Sequence, residues 1–224
     1  MDPRLSIEIN NAFYVGCKNG DLTFIQCIFN LKPDIFNSIK FNYIFEITCG
    51  IGHLTVAKWL LQVNPTFNVS SNNEEAFRLA CKNGKLEIAK WLLQVNPNIN
   101  ISSNNEEAFR WACGNGYLMV AQWLLQVNPT INVYAKNHFA FRYANIYARS
   151  NNNYEVVKWL NKICPNHYVV IIKNNKVIKS TLPSIVEKKW RERKLILASH
   201  LKGNKSELLY ELPIELVRYI SEFI

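Results

Sequence analysis

The 224-residue sequence lacks the features that carry a chain into or across a membrane. No apolar run approaches the roughly 20 residues that a membrane-spanning helix needs. Residues 1–11 contain neither the basic stretch nor the apolar core of a secretory signal peptide. Hydrophobic residues make up 49% of the chain, which is typical of a folded protein. We therefore expect a globular, cytoplasmic protein that makes no contact with membranes.

The sequence also lacks the motifs by which enzymes and metal proteins are recognised. Its six cysteines form no C-x-x-C pair and join no Cys/His cluster, so we expect no metal site and free thiols in a reducing compartment. None of its four histidines has a cysteine, serine or carboxylate at the spacing of a catalytic motif. No glycine-rich phosphate loop occurs. The sequence therefore predicts no catalytic residue, no cofactor and no enzymatic activity.

The strongest positive signal is an internal repeat with a period of 32 residues. Residues 72–102 and 104–134 are near copies of each other. Three columns of residues keep the same step along the chain, namely Cys17, Cys49, Cys81 and Cys113; Gly20, Gly52, Gly84 and Gly116; and Trp59, Trp91 and Trp123. This regular step predicts a stack of similar structural units.

Each unit is predicted to form two short helices. In the copy at 72–102, one of the asparagines at 72–73 can cap the first helix, and Phe77 and Cys81 lie on one face of it. Gly84 ends that helix in a left-handed conformation, and Pro97 stops the second one. The apolar face of the second helix consists of Leu86, Ala89, Leu92 and Leu93.

Two helices of about ten residues cannot bury an apolar face alone, so neighbouring units must stack into a solenoid. We interpret the cysteine column as core and the tryptophan column as a ladder between units. The first unit is degenerate, as expected of a cap at the end of a stack. In the fifth unit Trp159 follows Trp123 by 36 residues, which indicates four residues inserted between its helices.

These units resemble the ankyrin repeat, whose pattern lies over residues 73–100 without a gap in the helices. Gly84 stands at the family's glycine and residues 96–100 at its closing turn, but the TPLH tetrapeptide is replaced by residues 75–78. The resemblance covers about residues 11–167 and implies an all-α, ankyrin-type solenoid of about five units at 1–167. It also implies a monomeric binding scaffold that contacts a protein partner through its hairpin tips and the exposed side of its first helices.

Asparagine is unusually frequent, with 29 residues. In its asparagine content and in the sequence of its repeats, the chain resembles the ankyrin proteins of giant DNA viruses of amoebae, such as the mimivirus-like ones. That resemblance implies a viral protein, an unidentified partner from the host, and a location in the host cytoplasm.

The two near copies differ at positions outside the core pattern, where large side chains have accumulated in the second copy. The differing pairs are Leu79 and Trp111, Lys85 and Tyr117, Glu87 and Met119, and Ser102 and Tyr134. Trp, Tyr and Met are favoured at the centres of protein interfaces, although drift and packing against the irregular fifth unit would also explain them. The candidate partner-binding residues are Trp111, Tyr117, Met119 and Tyr134, together with Lys82, Asn83, Ser102, Ser103 and Lys136 from the hairpins and helix ends.

Residues 168–224 depart from the repeat and form a predicted second segment. Residues 168–179 predict a β-hairpin about Asn174 and Asn175, followed by two or so helices, the first after Pro183. Residues 168–205 carry ten Lys or Arg against two Asp or Glu. The basic stretch 173–194 leaves nucleic-acid binding as an alternative function that we do not favour, because such a run is more often a solvated helix face.

The end of the chain supports a further alternative. Residues 212–220 resemble the opening of an F-box through Leu212, Pro213, Leu216 and Ile220, and poxviral ankyrin proteins carry a shortened element of this kind at the same place. The resemblance implies an adaptor for a host cullin-type ubiquitin ligase. The remaining helices of a full F-box are missing, so a helix that caps the stack is the preferred interpretation.

Overall fold

The computed structural model describes residues 3–37, 39–147 and 153–164, and the backbone of three short strands beyond them. The described helices are α1 (Pro3–Asn19), α2 (Leu22–Leu31), α3 (Phe41–Ile51), α4 (Leu54–Val63), α5 (Ser71–Lys82), α6 (Leu86–Val95), α7 (Ser103–Gly114), α8 (Leu118–Val127), α9 (Ala135–Ile146) and α10 (Asn153–Ile163), with a 3₁₀ turn at Pro33–Asn37. None of them is long and apolar enough to cross a membrane.

The ten helices form five helical pairs that stack as a solenoid, as the period predicted. The first helices α1, α3, α5, α7 and α9 pack side by side, and each second helix packs on the first helix of its own unit. The centre of the stack is a column of five phenylalanines at the 32-residue step, all at most 1% exposed: Phe13, Phe45, Phe77, Phe109 and Phe141. Stacking thus removes from water the apolar face that a single pair would leave exposed.

The tryptophan column forms the predicted ladder between units. Each indole packs against the central phenylalanine of the preceding unit, with ring centroids 6.2 to 6.4 Å apart. The four pairs are Phe13 with Trp59, Phe45 with Trp91, Phe77 with Trp123, and Phe109 with Trp159. The same contact recurs at every junction, so the prediction that these indoles stay in register is confirmed.

The cysteine and glycine columns also behave as the sequence predicted. The four column cysteines are buried, and burial raises the pKa of the Cys17 thiol to about 12, so these thiols behave as small apolar groups. In the fifth unit Asn145 occupies this column and donates from Nδ2 to the carbonyl of Phe141 at 2.9 Å. The glycines that end the first helices have positive φ, for example +74° at Gly84, a conformation that costs little only without a Cβ.

The predicted asparagine cap at the start of the first helix is wrong. In α5, Asn72, Asn73 and Glu74 have φ values of 54°, 55° and 64°, so three successive residues are left-handed and the right-handed helix begins at Glu75. The turn is held from within its own unit. Arg78 donates from Nε to the carbonyl of Asn73 at 2.8 Å and from Nη2 to the carbonyl of Asn72 at 3.3 Å.

The near copy repeats this arrangement. In α7 the left-handed residues are 104–106, and Arg110 donates to the carbonyls of Asn105 and Asn104 at 2.7 and 3.1 Å. Because the guanidinium has five N–H donors in a fixed fork, a single arginine can satisfy two neighbouring carbonyls. Arginine, which stands at the histidine position of the TPLH pattern, thus holds the start of the helix in both units.

Beyond the helices the structure describes three antiparallel strands in the order β2-β1-β3: β1 (Val169–Lys173), β2 (Lys176–Ser180) and β3 (Leu208–Glu211). The residues of the predicted turn, Asn174 and Asn175, lie outside the described part, so the β-hairpin stays a prediction. The helices predicted after Pro183 and at the end of the chain lie outside it as well.

Candidate protein-interaction surface

The exposed side of the first helices, here called the first-helix face, is built from three positions per helix. These positions are four and three residues apart, so they form one stripe on each helix. From α3 to α9 the stripes are Tyr43, Ile47 and Gly50; Glu75, Leu79 and Lys82; Glu107, Trp111 and Gly114; and Phe139, Tyr143 and Ile146. The stripe therefore contains no aromatic residue on α5, one on α7 and two on α9.

The aromatic side chains at the α9 end form one contiguous group, here called the aromatic cluster: Trp111, Phe139, Tyr143 and Tyr147. The Trp111 ring lies edge-on to Phe139 at 4.8 Å and to Tyr143 at 5.8 Å. Phe139 and Tyr143 stack at 4.0 Å, and Tyr147 continues the row at 6.1 Å from Tyr143. Trp111, Phe139 and Tyr143 are half-buried and Tyr147 is 44% exposed, so the cluster presents aromatic surface to solvent.

A glycine brings α7 and α9 close enough for these contacts. A Cβ atom on Gly114 would lie 3.2 Å from the Cβ of Tyr143, which is tighter than ordinary van der Waals contact. Gly114 therefore lets the backbone of α9 approach, and this approach sets Tyr143 beside Trp111. At the same position of α5 stands Lys82.

Two cationic side chains of the chain itself lie over rings of the aromatic cluster. The Nζ of Lys82 lies 4.6 Å from the centre of the Trp111 ring, and the guanidinium carbon of Arg110 lies 4.9 Å from the centre of Phe139. Both distances are in the range of cation–π attraction. Burial lowers the pKa of Arg110, although the nearby carboxylates of Glu107 and Glu106 oppose this effect.

An ion-pair network crosses the face from α5 to α7 and then stops. Arg78 pairs with Glu75 of its own helix and with Glu107 of the next. In α9 the position of these glutamates is taken by Phe139, so Arg110 meets a ring where Arg78 meets a carboxylate. Among the described residues no carboxylate pairs with Arg142, and its buried Nε has no hydrogen-bond partner.

Tyr117 and Met119 lie in a different place, along a groove of about 820 Å³ at the beginnings of α4, α6 and α8. The ring of Tyr117 packs directly on Gly84 of the preceding unit. The contact is so close that a Cβ atom added to that glycine would lie 2.5 Å from the ring. The corresponding residue two units earlier, His53, donates to the carbonyl of Lys18 at 2.9 Å. Tyr117 thus joins two units, whereas Met119 is 72% exposed.

Tyr134 lies just before α9 and belongs neither to the aromatic cluster nor to the groove of Tyr117 and Met119. Its ring stacks on Phe141 at 5.8 Å and lies 4.9 Å from His138. Burial and a hydrogen bond to Cys164 raise the pKa of Tyr134 to about 12. Lys136, two residues on, is exposed and left-handed with a φ of 52°. The structure therefore distributes the predicted centre of Trp111, Tyr117 and Tyr134 over three locations.

The remaining candidate residues form hydrogen bonds within and between the units of the stack. Asn83 donates from Nδ2 to the carbonyl of Gly50 in the preceding unit at 2.9 Å. Ser102, just before α7, accepts from Nδ2 of Asn128, just after α8, at 3.2 Å. Ser103 is buried and donates to the carbonyl of Asn73 at 2.9 Å. These three polar side chains thus form hydrogen bonds inside the stack, whereas Lys82 lies over the ring of Trp111.

Sequence reasoning missed Phe139, Tyr143 and Tyr147. The signal was present, because the fifth unit has these aromatic residues where the fourth has Glu107, Trp111 and Asn115. The two near copies do not include these positions of the irregular fifth unit, from which the sequence supplied only Lys136 as a candidate. The adaptor residues Leu212, Pro213, Leu216 and Ile220 lie outside the described part of the chain.

The helical repeats match a known family model. The family model "Ankyrin repeats (3 copies)" matches residues 13–103 and 45–137, which together span more than half of the chain. A solved ankyrin repeat family protein from Legionella pneumophila is 28% identical, with a TM-score of 0.48, and the match covers 59% of this chain and 41% of that one. No curated protein matches. The chain belongs to the ankyrin repeat family.

Proposed function

We propose that this chain is a non-enzymatic scaffold that binds a protein partner through the aromatic cluster on its first-helix face. Ankyrin repeats are generally protein–protein interaction modules. The observation that carries the choice of surface is the contact between Trp111 and the aromatic row of α9. Of the residues that distinguish the two near copies, Trp111 alone lies beside these aromatic residues, and together they form one contiguous surface.

The chemistry of the cluster supports binding more than packing alone. Interface centres are rich in Trp and Tyr because these rings contribute a large contact area and retain few freely rotating bonds. Trp111 and Phe139 have one part in the α7–α9 junction and another on the surface. Tyr147, at 44% exposure, and the neighbouring Ile146, at 37%, extend the apolar surface outward.

A photo-crosslinking experiment tests this surface directly. A photoreactive phenylalanine analogue is placed at Tyr147 of the full chain in one variant and at Tyr154 in a matched control. Tyr154 is a tyrosine that is 65% exposed on α10, a second helix. We expect a discrete crosslinked adduct in the native cell from position 147, and none of the same mass from position 154.

The double variant Tyr143→Ser, Tyr147→Ser completes the test. It should lose the adduct formed from an analogue at Ile146, while Tyr154→Ser should retain it. Equal crosslinking from positions 147 and 154, or an adduct that survives the double variant in a folded protein, would refute binding at the aromatic cluster.

The other functions inferred from the sequence concern residues whose side chains the structure does not describe. An adaptor role requires Leu216 and Ile220, and nucleic-acid binding requires the basic stretch 173–194. The double variant Leu216→Asp, Ile220→Asp tests the adaptor role, since it should abolish co-purification of cullin-type ligase subunits without unfolding the stack. The viral source, the host partner, the cytoplasmic location and the monomeric state also stay predictions.

A further inference from the structure

The chemistry of the surface indicates what kind of partner it fits. We infer that the aromatic cluster and the cationic side chains of α9 together bind an acidic peptide segment that carries a large apolar side chain. This inference rests on the proposed function and specifies the partner. The apolar side chain would pack on Tyr143 and Tyr147, and the carboxylates would meet Arg142 and Lys136.

A cationic partner fits this surface poorly because its ring faces are already used. An aromatic cluster can attract a lysine or arginine of a partner through the negative faces of its rings. Here Lys82 already lies over Trp111 and Arg110 over Phe139. A second cation would have to displace one of them and would be repelled by the other, whereas a carboxylate would be attracted by both.

The charge of α9 favours an acidic partner as well. Residues 135–146 contain Lys136 and Arg142 and no Asp or Glu, unlike α5 and α7 with two glutamates each. Complementary charge across an interface speeds association and excludes wrong partners. The first-helix face is therefore most positive at the end where it is also most aromatic.

Arg142 is the position at which a partner carboxylate would reproduce the ion pairing of Arg78. The equivalent Arg78 is held by two carboxylates, one of them Glu107 from the following unit. Arg142 has no such carboxylate among the described residues. An acidic residue of a bound peptide would take the place that Glu107 has beside Arg78.

The length of α9 sets the size of the segment. The right-handed residues 139–146 of α9 extend about 12 Å, which an extended peptide spans with about four residues. An acidic stretch with an apolar anchor fits within that length. Such a short segment offers few contacts and would bind weakly by itself.

Selection from a random 12-residue peptide phage library on the immobilised full chain tests the inference. We expect the enriched peptides to contain an excess of Asp and Glu with at least one Leu, Phe or Trp, and to bind less tightly as salt is raised. Enrichment of basic peptides, of apolar peptides without acids, or of no peptide would overturn it.

Charge-removing variants then locate the site. A synthetic copy of an enriched peptide should bind roughly tenfold less tightly to Arg142→Gln, as expected when one partly buried charge pair is lost. Lys136→Gln, at an exposed position, should also weaken binding, and the matched control Lys58→Gln on α4 should not. Equal affinity for Lys136→Gln and Lys58→Gln, with Arg142→Gln folded and unchanged, would refute the acidic partner.

The two proposals fail differently. Crosslinking at position 147 combined with apolar peptides in the selection would leave the aromatic cluster as the binding surface and reject only the acidic chemistry. Absence of crosslinking would reject the surface itself.

Discussion

The arginine that holds the left-handed turn offers the sharpest test of how this stack is stabilised. Arg78 is 8% exposed, and its guanidinium satisfies two backbone carbonyls and two carboxylates. Truncation in Arg78→Ala removes all four interactions at once. The three left-handed residues at 72–74 then lose the donor that compensates for their unfavourable backbone conformation.

The expected cost follows from these contacts. A hydrogen bond from a charged donor contributes about 1.5–3 kcal/mol, and the 3.3 Å bond to Asn72 is the weaker of the two. Water entering the truncated site recovers part of the loss. The side chains of Glu75 and Glu107 are 28% and 24% exposed, so each ion pair adds only about 0.5 kcal/mol. We expect Arg78→Ala to lower the free energy of unfolding by about 2–4 kcal/mol in total.

Urea denaturation of the full chain, followed by circular dichroism, measures this change. Arg110→Ala in the near copy serves as the parallel case, since Arg110 holds the same carbonyls but has no ion pair within 4.0 Å among the described residues. The cost of Arg110→Ala should be about 1 kcal/mol lower at low salt because two ion pairs are missing. It should also change less as salt is raised, whereas the cost of Arg78→Ala should decrease as salt screens the carboxylates. Lys90→Ala, which breaks an exposed pair with Glu87, is the control and should cost less than about 0.5 kcal/mol.

A cost below about 1 kcal/mol for both arginine variants would refute the reasoning, because it would mean that the left-handed turn does not depend on the guanidinium. A cost for Lys90→Ala equal to that of Arg78→Ala would refute it as well. In that case the loss of any ion pair, rather than the buried carbonyls, would explain the effect.

Three further predictions concern single positions. Gly84→Val should destabilise by at least about 2 kcal/mol and Gly84→Ala by less, because a β-branched residue is strained at a φ of +74° and any Cβ meets the ring of Tyr117; equal melting temperatures would contradict this. Of the six thiols only Cys27 is exposed, so one equivalent should react rapidly with a thiol reagent in the native protein, and Cys27→Ser should abolish that fast phase. Burial raises the pKa of Glu46 above its ordinary value of 4.5, against the opposing effect of a hydrogen bond from Asn72. The folded state thus binds this proton more tightly, and the stability that it contributes below pH 4.5 is lost as the pH rises through the raised pKa. Glu46→Gln should therefore be more stable than the wild type near pH 7 and equal to it near pH 4, as thermal melts at both pH values would measure.

The sequence was sufficient to predict the features that every unit repeats. Equivalent residues, such as those in the columns of Phe77 and Cys81, have nearly the same neighbours in each unit. The same residue type therefore recurs at that position along the sequence. Small residues indicate close helix packing, and the recurring glycine indicates the end of a helix, where the structure has a φ of +74° at Gly84. The solenoid, the buried cysteines and the tryptophan ladder could all be predicted for that reason.

Only the tertiary structure decided how the first helix begins. Asparagines before a helix usually indicate a cap, and the sequence around 72–73 reads that way. The left-handed turn is favoured instead because Arg78, folded back from the next helical turn, offers donors to both carbonyls. The capping pattern could not reveal this arrangement, because the guanidinium must fold back onto carbonyls five and six residues earlier in the chain, and only the three-dimensional structure shows that it does.

The aromatic cluster likewise exists only because the chain stacks. Trp111 and Phe139 are 28 residues apart, and their contact requires that α9 approach α7 at Gly114. The sequence identified Trp111 as a difference between the two near copies but grouped it with Tyr117 and Tyr134. Spacing along the chain by itself determined which residues share a helix and a face, because helical periodicity is local. Which faces meet, and which rings therefore lie together, was decided by the close packing of neighbouring units.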